Sequence, residues 1–170
     1  MSSPTRPPLV IGVGRDERGD DGVGLDVARA LAESVSGAEV VVWTGELTAL
    51  LELFEGRPLV IVVDAVRSGA PSGTVHRWEL AGGQPFPLPR TVSTHGLSLA
   101  SVLDLGRSLG RLSERLVVYG VEVGQLGEGS GRSAAVQEAI AIVLERVGRE
   151  VGAAGPPSPR AATSSGTADA

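Results

Sequence analysis

Residues 9–24 read Leu-Val-Ile-Gly-Val-Gly-Arg-Asp-Glu-Arg-Gly-Asp-Asp-Gly-Val-Gly, and this stretch decides the fold. Residues 9–14 form a short apolar run ending in glycines, the pattern of a buried strand. Over residues 22–36, Val23, Val27, Leu31 and Val35 recur four apart, which is helical spacing. Strand, loop and helix in that order open an α/β unit. The loop between them carries Asp16, Glu17, Asp20 and Asp21 among its glycines. A dinucleotide fingerprint, G-x-G-x-x-G, fails here because Glu17 stands three residues beyond Gly14, and clustered carboxylates repel a pyrophosphate. One of the paired aspartates is expected to cap the helix that starts near Gly22, leaving the other to project outward.

Outward from this unit, residues 40–43 and 59–63 are continuous β-branched runs and read as buried parallel strands, with a short helix over 48–54 and a turn at 56–58 between them. Residues 73–79 alternate as a strand with one wetter face. Only about eight residues separate them from Asp64, too few for a parallel crossover of a dozen or more, so this strand is expected to run antiparallel. Residues 81–90 form a Gly/Pro-rich loop, 98–109 a helix, and 116–121 a strand. The clearest periodicity lies in 133–151, where Val136, Ile140, Val143, Leu144, Val147 and Val151 share one helical face. The reading is α/β: one domain, a twisted, mixed, mostly parallel five-stranded sheet with helices on both faces, phosphorylase/hydrolase-like. Its expected limits are residues 9–152, after a flexible N-terminus at 1–8 and before a tail at 153–170 whose Ala, Gly, Pro, Ser and Thr cannot bury enough surface to order it.

Composition agrees. In 170 residues, 42% hydrophobic content includes only 3% aromatic, so the core must come from Val, Leu, Ile and Ala, as in sheets covered by helices. A formal charge of −5 with no dense Lys/Arg block speaks against nucleic acid or an anionic membrane as partner. With no Cys, the chain has neither disulfide nor thiolate chemistry, so oxygen and imidazole groups must do any metal or acid/base work. No leader or membrane-length segment is evident, and the expected location is the cytoplasm.

Asp64 ends the apolar run 59–63, at the carboxyl end of a strand, where open α/β sheets hold their ligands. His95 lies in Ser-Thr-His-Gly-Leu, residues 93–97, just before the helix that feeds the last strand. If that strand is parallel to the first and third, the helix must begin at their carboxyl edge, which puts His95 beside Asp21 and Asp64. His76, inside the alternating strand, reads as a surface or half-buried residue without such company. Two acids and an imidazole suit a borderline divalent metal with open positions, and equally a metal-free acid/base pair.

The ordered set G-x-G, then Gly-Asp-Asp-Gly-Val-Gly at 19–24, Asp64 after the third strand, Thr-His-Gly-Leu at 94–97, and Gly120-Val121-Glu122 ahead of Ser133-Ala134-Ala135-Val136 resembles the endopeptidases that mature [NiFe]-hydrogenase large subunits. The resemblance runs from about Leu9 through the last helix. It implies an aspartic-type endopeptidase that removes the C-terminal extension of the nickel-loaded large-subunit precursor. It also implies that Asp21, Asp64 and His95 contact the substrate's nickel and that no permanent cofactor is needed, a free divalent metal being another possible occupant. The precursor is then the partner of a monomeric enzyme. Two positions depart from the common pattern: Arg15 where many relatives have Asn, and Arg132 where Leu is frequent. A nickel-dependent binding module that does not cut is the alternative. A peptidyl-tRNA hydrolase-like esterase ranks below it, because that class lacks the paired aspartates and needs a basic surface.

Overall fold

The computed structural model describes residues 6–15, 19–80, 87–88, 97–124 and 132–154. Five strands are present: β1 Leu9–Val13, β2 Glu39–Trp43, β3 Leu59–Val66, β4 Val75–Leu80 and β5 Arg115–Glu122. The helices are α1 Val23–Ser34, α2 Leu50–Phe54, α3 Leu99–Ser108 and α4 Ala134–Ala154, with single 3-10 turns at Gly19–Gly22 and Leu47–Ala49. They form one sheet in the order β2-β1-β3-β5-β4, parallel except for β4, which pairs antiparallel with β5. The short connection after β3 therefore produced the antiparallel strand that its length demanded.

The two-residue period of the strands sorts the core into two layers. Leu9, Ile11, Val60, Val62, Leu116 and Val118 face α2 and α3. Val10, Leu59, Ile61, Val63, Val117, Tyr119 and Val121 face α1 and α4. β1, β3 and β5 are apolar at nearly every position because both faces are covered. At the amino edge the buried Arg57 closes the sheet, donating to the Pro7 carbonyl at 2.9 Å and pairing with Glu39 at 2.5 Å. At the start of α3, Ser98 is the N-cap and accepts from the Ser101 backbone N–H at 3.2 Å.

Differences from the sequence reading are small but informative. β3 runs to Val66 rather than stopping at Val63, because residues 64–66 continue to pair with Gly120, Val121 and Glu122 of β5. α4 extends to Ala154, since Ala and Gly hold a helical turn begun by the periodic segment. Most of the loop expected over 81–90 and the tail over 155–170 lie outside the described residues. No helix among the described residues is long and apolar enough to cross a membrane.

Candidate active site

The chain leaves β1 toward β2 on one side, whereas β3 lies on the other side of β1 and leads on toward β5 and β4. The carboxyl ends of β1 and β3 thus flank the point where the strand order reverses, the usual ligand crevice of an open α/β sheet. Two glycines bring the acidic loop down onto that point. A Cβ on Gly12 would strike the carbonyl of Gly24, and a Cβ on Gly24 would strike the carbonyls of Val13 and Val63. Only with hydrogen at both positions does the first turn of α1 rest directly on the strand ends. Gly14 likewise lies against the Asp21 backbone, whose carbonyl would be 2.6 Å from an added Cβ. The 3-10 turn Gly19–Gly22, which carries both aspartates, therefore sits beside β3, the strand that carries Asp64.

Neither aspartate caps α1. Its N-cap is Gly22, with no side-chain hydrogen bond. Asp20 turns instead to α4: its carboxylate accepts from the Ser133 backbone N–H at 2.8 Å and from the Ser133 hydroxyl at 3.0 Å, across 113 residues of sequence. Local spacing suggested the nearer helix, but the topology delivers a second helix start to the same place. Asp21 is half-buried and has no hydrogen-bond partner among the described residues, in contrast to Asp20.

Asp64 is half-buried and accepts from the Ala65 backbone N–H at 2.8 Å. Burial pushes its carboxyl up to about 7, the Ala65 hydrogen bond opposes that, and the nearby Asp21 charge adds to it. The Asp21 and Asp64 carboxylates lie close enough for the charge of one to act on the other. Near neutral pH the Asp64 carboxyl is poised either to keep its proton or to surrender it to a cation. His95 lies outside the described residues, and among those described no three His, Asp or Glu side chains gather to hold a metal ion.

One polar cluster escaped the sequence reading. Glu122, only 2% exposed, accepts from the Ser68 backbone N–H at 2.7 Å, the Ser68 hydroxyl at 2.8 Å and the Gly69 backbone N–H at 3.1 Å, and it meets His76 Nε2 at 3.1 Å. Burial alone would raise the Glu122 carboxyl, but the hydrogen bonds from Ser68, His76 and Gly69 outweigh it and hold the group below its ordinary value. His76 also stacks on Trp78, with ring centroids 5.2 Å apart. It is thus not without company. The signal was available: an acid ending the fully apolar strand 116–121 must find hydrogen-bond donors. The register puts Asp64, Gly120 and His76 in one row across β3, β5 and β4, so this cluster adjoins the carboxylate pair.

A mostly parallel α/β sheet with two carboxylates near its switch point, in a chain without cysteine, leaves oxygen groups to do the chemistry there. Residues 27–150 match the family described as HycI, hydrogenase maturation protease. The fold is similar to that of the hydrogenase maturating endopeptidase HybD from E. coli, at 26% identity and a TM-score of 0.73, covering 88% of this chain and 94% of that one. It is similar as well to the [NiFe] hydrogenase maturation protease HycI from Thermococcus kodakarensis KOD1, at 25% identity and a TM-score of 0.65, covering 87% and 93%. An endopeptidase from Escherichia coli, whose structure was determined in solution, matches at 25% identity and a TM-score of 0.72, covering 88% and 94%. No curated protein sequence matches the chain. The chain belongs to the hydrogenase maturation protease family and is an aspartic-type endopeptidase.

Proposed function

We propose that this endopeptidase removes the C-terminal extension of a nickel-loaded [NiFe]-hydrogenase large-subunit precursor, with Asp21, Asp64 and His95 contacting the nickel that the precursor carries. The observation that carries the reading is the Asp64 carboxyl held at the switch point within reach of the Asp21 charge, pushed up to about 7 by burial first and by that like charge in addition. Two like charges held together in a half-buried crevice are relieved by a divalent cation, and a nickel ion delivered by the substrate supplies that relief only when the correct partner docks. Recognition and positioning then coincide: gripping the metal fixes the adjacent peptide bond against the enzyme. A carboxyl group with its pKa near 7 is also suited to moving a proton to or from the attacking water at neutral pH. No permanent cofactor is required for either role.

The test compares the wild type with Asp64→Asn, each incubated with nickel-loaded and nickel-free precursor, and reads the precursor's mass. The wild type is expected to trim only the nickel-loaded form. The variant is expected to trim it at least about 100-fold more slowly, the loss typical of removing a proton-transfer or positioning group. Unimpaired trimming by Asp64→Asn defeats the assignment.

A further inference from the structure

The turn at residues 132–133, which begins α4, holds the acidic loop from outside the site. The Arg132 guanidinium donates through Nε to Asp26 Oδ2 at 2.7 Å and through Nη1 to the Gly19 carbonyl. Gly19 opens the turn that carries Asp21, and Asp26 lies in the first turn of α1 just beyond it, so a single side chain spans both ends of the segment. Its planar fork is suited to two acceptors set apart in this way. The same guanidinium lies so close over Gly22 that an added Cβ would collide with it. Next to it, Ser133 takes both oxygens of Asp20. The following residue but one, Ala135, packs against the connection from β3 to β4, its carbonyl standing 2.6 Å from where a Cβ on Gly73 would be. The start of α4 therefore touches both the loop bearing Asp21 and the connection that follows the strand bearing Asp64.

We propose that Arg132 and Asp20 are positioning residues: with Ser133 they form a bracket that sets the Asp21 carboxylate at its working distance from Asp64. The bracket explains why two adjacent aspartates are used, one as the anchor and one as the reacting group. Its consequence for the reaction rests on the function proposed above, but its consequence for the loop does not.

The experiment uses the full chain in three forms, wild type, Arg132→Met and Asp20→Ala, with Arg132→Lys as the conservative variant. Met keeps the apolar stem and removes the fork. Amide hydrogen exchange over residues 19–24 is expected to quicken about tenfold in the first two variants, while α4 and the strands keep their protection. Trimming of the nickel-loaded precursor is expected to lose about tenfold in kcat/KM, mostly through KM, because a displaced Asp21 weakens the grip on the substrate. Arg132→Lys, able to reach one acceptor at a time, is expected to recover part of both effects. Unchanged exchange over residues 19–24 overturns the bracket, and faster exchange with unchanged KM and kcat overturns its role in positioning. Should the wild type trim no precursor, the proposed substrate is what fails, and the exchange measurement still decides whether the bracket exists.

Discussion

Replacing Asp64 by Asn should make the protein more stable in alkaline solution, the reverse of the usual result for removing a charged group. The folded Asp64 carboxyl titrates at about 7 against an ordinary value of 3.8. The folded state therefore holds a proton that the unfolded chain releases anywhere between those two values. Stability that depends on this proton is fully present below about pH 4, declines as pH rises, and is gone above about pH 7. At 1.36 kcal/mol per pH unit, the gap corresponds to about 4 kcal/mol as a ceiling. Asp64 is half-buried, and water screens part of this, so about 2 kcal/mol is the expected size. Asn keeps the oxygen that accepts from Ala65 and carries no charge at any pH. The assay is urea denaturation of both proteins in metal-free buffer from pH 4 to pH 8.5. The stability difference, variant minus wild type, should rise by about 2 kcal/mol across that range, steepest between pH 5 and 7. A difference flat to within about 0.5 kcal/mol would show that Asp64 ionises normally, and with it would fall the reading of a carboxyl held protonated by burial beside a like charge.

Three further outcomes follow from the same geometry. Asp21→Asn removes the like charge beside Asp64 and should bring the Asp64 titration, followed by carboxyl carbon NMR, below its wild-type midpoint; an unmoved midpoint would mean that the two groups do not interact. Glu122→Gln replaces one acceptor oxygen with a donor facing the N–H groups of Ser68 and Gly69 and should cost about 2–3 kcal/mol in urea unfolding, with easier proteolysis of the β3–β4 connection. Gly24→Ala places a methyl group against the Val13 and Val63 carbonyls and should cost at least about 3 kcal/mol, whereas Gly152→Ala, with open space around it, should be neutral or slightly stabilising by thermal denaturation.

Much of this architecture could be read along the chain because it is encoded locally. Buried strands announce themselves as apolar runs, the amphipathic face of α4 repeats for about four turns, and an eight-residue connection forbids a parallel crossover. The antiparallel β4 was a matter of chain reach. Asp21 and Asp64 were legible for a related reason: parallel strands place all their carboxyl ends on one edge. What escaped were contacts between segments distant in sequence. Asp20 beside a helix start looks like the cap of that helix, and nothing nearby reveals that Ser133 arrives from 113 residues away to claim it. Arg132 stood out in the sequence only as a departure from a frequent Leu, and its ties to Gly19 and Asp26 place it within the molecule's own framework. His76 seemed isolated because its partner, Glu122, lies across a register that only the assembled sheet defines.

The outer strand β4 has a consequence for how the protein behaves in company. An open strand edge invites a second chain to add on, and long apolar edges of this kind seed aggregates. Here β4 is only six residues long and sets charges along its course: Arg77 pairs with Glu150 of α4 and with Glu79, and Glu79 pairs with Arg115. A newcomer would have to desolvate this ladder of ions for a few backbone hydrogen bonds. The same pairs that fasten the strand to its own helix thus make this edge of the sheet a poor place for a second chain to add on.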